Sequence, residues 1–186
     1  MSRPALFLDR DGVVIENRAE YIRTWDDVSI IPGALEALQR ASETEHRIVL
    51  VTNQSSVGRG LLTLEGAEAI NLELVRTLER GGARVDGVFL CPHRPEDACT
   101  CRKPEPGLIL QAAAALGLDL AASLLIGDAV SDLQAGEAAG VGTVALVRTG
   151  RGREQEALLA AAGLGTAPVF DGLSQAVETL LLHRRS

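Results

Sequence analysis

No run in this chain is long and apolar enough to cross a membrane. The richest stretch, Leu108 to Ile126, is broken by Gln111 and Asp119, whereas a span takes about 18 or more consecutive apolar residues. The start is equally poor. Ala5 to Leu8 is the only apolar run before an acidic cluster, too short for the core of a secretory leader. Positive charge is scarce too: 18 Lys and Arg face 25 Asp and Glu, a formal net charge of −7. That balance argues against a nucleic-acid or anionic-membrane surface. Three cysteines make no disulfide framework. No repeat, low-complexity tract or linker interrupts the 186 residues. The expectation is a cytoplasmic monomer without membrane or nucleic-acid partner, one domain spanning 1–186. A hydrophobic content of 46% and a mean hydropathy of +0.14 exclude disorder.

What is present is alternation. Short apolar runs predict strands over Ala5–Leu8, Arg47–Thr52, Val85–Leu90, Leu124–Ile126, Thr143–Val147 and Pro168–Phe170. Helical patterns lie between them over Ala34–Ala41, Leu64–Arg80, Leu108–Leu116, Ser131–Ala139, Glu154–Ala162 and Leu173–His183. Thr63 is placed to cap the second helix, and glycines follow the second, third and fourth. Strand and helix at this spacing predict an α/β fold, a mainly parallel sheet with helices on both faces. Asn17–Ile31 and Pro92–Gly107 are the long irregular stretches. Long loops of this kind are where function concentrates.

Four polar clusters close the predicted strands. Asp9-Arg10-Asp11-Gly12 delivers two carboxylates to one sheet edge, where nucleophile and acid/base duties can be divided. Thr52-Asn53-Gln54-Ser55 offers a hydroxyl and free amides for phosphate oxygens. Arg102-Lys103-Pro104 puts two cations ahead of a helix, and Gly127-Asp128 is followed by Asp132. Asp128 can join Asp9 on a hard, oxygen-seeking cation such as Mg²⁺.

A second feature is denser. Cys91-Pro92-His93 and Cys99-Thr100-Cys101 place every cysteine of the chain and one histidine within eleven positions. Three Cys and one His complete a tetrahedral zinc site with no open position, so a structural Zn²⁺ is expected. The loop runs directly into Arg102-Lys103 and would fix those cations toward a phosphate.

Asp-x-Asp-Gly, a strand-end Thr-Asn, a lysine and Gly-Asp-x-x-x-Asp, in that order from about residue 5 to 150, resemble the haloacid dehalogenase (HAD) superfamily of phosphatases. The resemblance implies a doubly wound, Rossmann-like sheet. It implies Asp9 as nucleophile forming an aspartyl-phosphate and Asp11 as acid/base. Thr52 and Lys103 would stabilise the phosphoryl group, and Asp9, the backbone carbonyl of Asp11 and Asp128 would hold Mg²⁺. No segment is long enough for a large cap domain, so small loops must shape the substrate site. Arg18, Ala19, Glu20 and Tyr21 come from one loop, Asn53, Gln54, Ser55 and Arg59 from a second, and Arg102 from the cysteine loop.

The cysteine arrangement with Arg102-Lys103-Pro104 resembles the zinc-bearing branch of that superfamily, whose members act on D-glycero-D-manno-heptose 1,7-bisphosphate or on histidinol phosphate. Thr52-Asn53-Gln54-Ser55, Arg59-Gly60 and Thr63 fit the heptose pattern. Ala129 stands where heptose enzymes often carry lysine, and the cysteine loop is nearer the histidinol type in length. The resemblance therefore implies a small phosphorylated sugar as substrate, cleaved at the 7-phosphate, with histidinol phosphate as the alternative. A catalytically silent phosphate-binding domain is a reading of another class. The intact Asp9, Asp11, Lys103 and Asp128 set argues against it.

Overall fold

The computed structural model describes residues 2–182. Six strands, β1 Arg3–Leu8, β2 Arg47–Asn53, β3 Gly87–Cys91, β4 Leu118–Gly127, β5 Thr143–Val147 and β6 Val169–Phe170, form one sheet in the order β3-β2-β1-β4-β5-β6. Every pairing is parallel, and parallel neighbours require crossovers. These are α1 Ala34–Ser42, α2 Ser55–Gly58 with α3 Leu64–Arg80, α4 Gly107–Leu116, α5 Val130–Ala139 and α6 Gly152–Glu156. After β6 come α7 Leu173–Val177 and a π-helical turn over Glu178–Leu182. The expected end of that helix at His183 lies outside the described residues.

β1 explains why the central strands read as unbroken apolar runs. Ala5, Leu6, Phe7 and Leu8 are all fully buried because alternate side chains enter different cores. Leu6 and Leu8 pack with Leu38, Leu74, Leu78 and Val177 on one face. Ala5 and Phe7 pack with Leu108, Ile109 and Leu133 on the other. Building outward from β1 through β2 to β3, the chain then returns to the far side of β1 with β4. That reversal opens a crevice beyond the carboxyl ends of β1 and β4, the place where open α/β sheets bind ligands.

Three elements differ from expectation. β4 begins at Leu118, six residues early. Its register against β1 slips between Pro4 and Leu6, and the Ser123 hydroxyl accepts the Ala5 N–H at 2.8 Å. The polar Asp119 and Ser123 make this half read as loop. β3 starts at Gly87 and not Val85, since Asp86 is spent capping the strand end: its carboxylate accepts the Ile48 N–H. α6 covers only Gly152–Glu156, and Ala157–Gly163 continues as turns. Among the described residues no helix is long and apolar enough to cross a membrane, and no separate cap stands over the crevice.

Candidate active site

Asp9 directly follows β1 and is 5% exposed. Its Oδ1 lies 2.9 Å from Lys103 Nζ. That ammonium, from the chain's only lysine, also meets Asp132 Oδ1 at 2.8 Å and donates to the Val51 carbonyl at 2.8 Å. All three of its protons are thus committed. Although burial disfavours its charge, Asp132 and Asp9 outweigh that and raise its pKa. The Asp132 Oδ2 atom accepts the Asp128 and Ala129 N–H groups at 3.1 and 3.0 Å at the start of α5, an acidic N-terminal cap. Lys103 is held by its backbone as well: its N–H donates to Asn53 Oδ1, and its carbonyl accepts from Asn53 Nδ2, both at 3.1 Å.

Asp9, Asp128 and Asp132 bring carboxylate oxygens within 4.8 Å of one another. Burial pushes Asp9 up to about 8, with Asp132, Asp128 and Asp11 adding to the rise against the pull of Lys103. Burial raises Asp128 as well. Carboxylates packed this tightly, with one ammonium shared by two of them, suit a divalent oxygen-seeking cation. Asp132 is the poorest donor of the three, because Lys103 and two N–H groups already use it.

Asp11 sits beside this cluster. Arg10, only 2% exposed, grips it with Nε on Oδ2 at 2.9 Å and Nη2 on Oδ1 at 3.0 Å. The third arm of Arg10 reaches Asn71 Oδ1 at 2.7 Å. Asp11 Oδ2 also accepts from the Thr52 hydroxyl and Gln54 Nε2, each at 3.3 Å. The carboxylate is therefore aimed by four donors.

Asp128 is anchored from the turn between β5 and α6. The Arg151 N–H donates to its Oδ2 at 2.8 Å, and the guanidinium reaches its two oxygens at 3.1 and 3.4 Å. Gly12 and Gly150 make that approach possible. Both have positive φ, and a Cβ on either would lie within 2.3 Å of Asp128 Oδ2.

The four expected zinc ligands converge. Cys101 Sγ lies 3.0 Å from Cys91 Sγ, Cys99 Sγ lies 3.6 Å from both, and His93 Nδ1 lies 3.3 and 3.5 Å from Cys101 and Cys91. Two thiolates on a tetrahedral zinc at ~2.3 Å would be roughly 3.8 Å apart, so the donors need to open only slightly. No disulfide joins them. Burial and the neighbouring thiols push Cys91 up, and burial raises Cys101 too. Burial works against Cys99 as well, but the N–H groups of Arg102 and Cys101 bring it down to about 7. The set fits a metal that replaces thiol protons. The loop is tied to the active-site side by Gln54 N–H on the Cys91 carbonyl at 2.7 Å and Gly58 N–H on the Pro92 carbonyl at 2.8 Å.

A cleft of about 370 Å³ opens over these groups. Asp9, Asp11 and Lys103 are on its wall with Arg18, Tyr21, Asn53, Gln54, Ser55 and Arg102. Thr52 and Asp128 are fully buried beneath it. Ala19, Glu20 and Arg59 are not on the wall: Glu20 faces Arg23 at 4.0 Å, and Arg59 faces Glu96 at 3.9 Å. Four contributors had no role assigned from sequence. Asp132 carried a signal, an acid three positions after Ala129, the residue that precedes α5. Arg10, Asn71 and Arg151 carried none, because each is defined by a partner distant in sequence or by unexpected burial.

The comparisons agree with this geometry. A HAD-hydrolase-like family model matches residues 100–176. A curated relative from Bordetella bronchiseptica, a D-glycero-β-D-manno-heptose-1,7-bisphosphate 7-phosphatase, is 40% identical over 178 residues, covering 95% of this chain and 97% of its own. One of the same name from Yersinia pestis is 41% identical over 81% of this chain and 83% of its own. Among solved structures, the D,D-heptose 1,7-bisphosphate phosphatase of B. bronchiseptica, complexed with magnesium and phosphate, superposes with a TM-score of 0.88 at 38% identity, covering 97% of this chain and 99% of that one. With relatives this similar over nearly its whole length, the chain belongs to the haloacid dehalogenase-like phosphatases.

Proposed function

We propose that this protein is a Mg²⁺-dependent phosphatase that removes the 7-phosphate of D-glycero-D-manno-heptose 1,7-bisphosphate through an aspartyl-phosphate on Asp9. The observation that carries the chemistry is a buried Asp9 carboxylate at the sheet's switch point, held by Lys103, with Asp11 beside it under four donors. The choice of sugar rests on the 40% identity over 95% of the chain to a heptose enzyme.

Asp9 attacks phosphorus. The Asp9 oxygen–phosphorus bond forms as the ester bond to the sugar oxygen breaks, and Asp11 gives that oxygen its proton. Asp11 then takes a proton from water as the water oxygen attacks the aspartyl-phosphate, releasing phosphate and restoring Asp9. Thr52 and Lys103 hold the phosphoryl oxygens, and Arg10 keeps Asp11 in line. Asp9, Asp128 and the Asp11 carbonyl would hold Mg²⁺. When bound, it supplies the positive charge that lets a phosphate dianion approach a carboxylate. Zn²⁺ on Cys91, His93, Cys99 and Cys101 would lock the loop carrying Arg102 and Lys103. Arg18, Tyr21, Asn53, Gln54, Ser55 and Arg102 shape the sugar site. The chain acts as a monomer of one domain, and its reduced thiol cluster suits the cytoplasm.

The test is steady-state kinetics on heptose 1,7-bisphosphate and histidinol phosphate with wild type and Asp9→Asn. Heptose bisphosphate should be preferred, and Asp9→Asn should lose at least about 10³-fold in kcat while keeping its fold. A preference for histidinol phosphate would overturn the substrate, and an active Asp9→Asn would overturn the mechanism.

A further inference from the structure

A bisphosphate brings two dianions into one cleft, and the cations at the floor are already committed. Lys103 gives its three protons to Asp9, Asp132 and the Val51 carbonyl. Arg10 spends its donors on Asp11 and Asn71. Three guanidiniums remain on the cleft wall: Arg18, Arg102 and Arg151. Arg18 and Arg102 each donate to one backbone carbonyl, of Asp27 and His93. Arg151 differs because its ion-pair partner is Asp128, the carboxylate best placed for the metal.

The two halves of Arg151 do different work. Its backbone N–H holds Asp128 Oδ2 at 2.8 Å, while its side chain adds longer contacts at 3.1 and 3.4 Å. Should the guanidinium leave, the backbone still fixes the carboxylate. A divalent cation on Asp128 would repel the guanidinium and compete for the same oxygens. The side chain is 51% exposed, so it has solvent to turn into. Asp9 and Lys103 are 5% and 4% exposed, which puts the transferred phosphoryl group on the floor and leaves the rim for the other end of the substrate. On the α5 side of the cleft the wall is otherwise Ser131 and Asp132, and Ala129 at the start of α5 brings no charge.

We infer that Arg151 is a substrate-binding residue that sets preference for a bisphosphate. Its guanidinium exchanges Asp128 for the phosphate that is retained, and metal binding drives the exchange. This rests on the sugar-bisphosphate reading above. It assigns the α5 side of the cleft its cation, while Arg102 serves from the cysteine loop.

The experiment compares Mg²⁺-loaded wild type, Arg151→Gln and Arg151→Lys on heptose 1,7-bisphosphate and heptose 7-phosphate, which differ only in the retained group. The ratio of kcat/KM, bisphosphate over monophosphate, should fall about tenfold in Arg151→Gln, mainly through KM, and Arg151→Lys should recover part of it. A separate readout is Mn²⁺ affinity by electron paramagnetic resonance. Arg151→Gln should bind Mn²⁺ about two- to fivefold more tightly, since a competing charge has gone. An unchanged ratio overturns the inference alone, as does weaker Mn²⁺ binding with equal losses on both sugars, which would make Arg151 a holder of Asp128. A wild-type chain that hydrolyses neither sugar overturns the substrate reading, and this inference with it.

Discussion

The two ligand clusters solve the same problem, gathering groups that repel or resist deprotonation, in opposite ways. The carboxylates of Asp9 and Asp128 follow the ends of β1 and β4, Asp132 comes from the first turn of α5, and all three are buried together. Only the pairing of β1 with β4 brings Asp9 to the other two. The cysteine cluster joins Cys91, the buried last residue of the edge strand β3, to one loop that follows it, in which Cys99 and Cys101 stay partly exposed. Its geometry is local. The strand-end cluster therefore inherits rigidity from two hydrophobic cores, whereas the loop cluster has little core of its own and must take its order from the metal it binds. A mutation in the first should cost chemistry and spare the fold. In the second it should loosen structure first and lower activity as a consequence.

Asp128→Asn presses hardest on that contrast. It keeps the shape and removes, from a buried site, the charge proposed to hold the metal. The expected outcome is a loss of about 100-fold or more in kcat/KM with Mn²⁺ affinity falling in parallel, and a metal-free Tm no lower than wild type because acid–acid repulsion is relieved. A large drop in Tm would mean the two regions are not opposites. Cys101→Ser is the matching change in the loop. Zinc content should fall below the four-ligand stoichiometry of about one per chain. Thermal stability should drop on the order of 3 kcal/mol, roughly 6 to 12 °C, and activity should fall about thirtyfold as Lys103 loses its support. Full activity in zinc-free protein would break the link between loop and site.

Arg102→Ala tests where the regions meet, since Arg102 follows the last cysteine and donates to the His93 carbonyl at 3.1 Å. Removing one charge-assisted contact of roughly 1.5 kcal/mol predicts about a tenfold fall in kcat/KM on the bisphosphate, greater than on a sugar monophosphate. Equal losses would place Arg102 on the transferred group. The smallest effect belongs to a carboxylate that needs no metal. Burial pushes Asp86 up, but the Ile48 N–H and the guanidiniums of Arg47 and Arg84 outweigh it and hold it low. A lowered folded-state pKa adds stability above the unfolded value of about 4, and this is lost as pH falls through the folded value. Asp86→Asn should cost about 1 kcal/mol in urea unfolding at pH 7, discounted for its half-exposed partners. The cost should shrink as pH falls below about 4 and be indifferent to Mg²⁺.

The same contrast governs how much could be read before the fold was known. Cys91, His93, Cys99 and Cys101 were legible as one site because their spacing is their geometry. Asp9, Asp11, Thr52 and Asp128 were legible as punctuation at the ends of apolar runs, and Lys103 as a cation directly after the cysteine loop. Arg10 carried no signal between its two acids, since its burial and bonding depend on Asn71 of α3 arriving above it. Arg151 gave no sign because its partner, Asp128, is 23 residues away at the end of β4. The first half of β4 was hidden by polar residues that a register slip accommodates. The alanine run after α6 mimics helix but turns, as Gly163 and Leu164 fold back onto Ala160 and Leu159.

The commitment of the only lysine to Asp9 and Asp132 has a consequence for the molecule's exterior. Apart from the chain's amino terminus, no primary amine is offered to solvent. The basic groups outside the site are arginines, which keep their charge and resist acylation at neutral pH. Acetyl donors, isopeptide conjugation and amine-directed labels thus find almost nothing to modify, and the one side chain they would choose is shut behind two carboxylates.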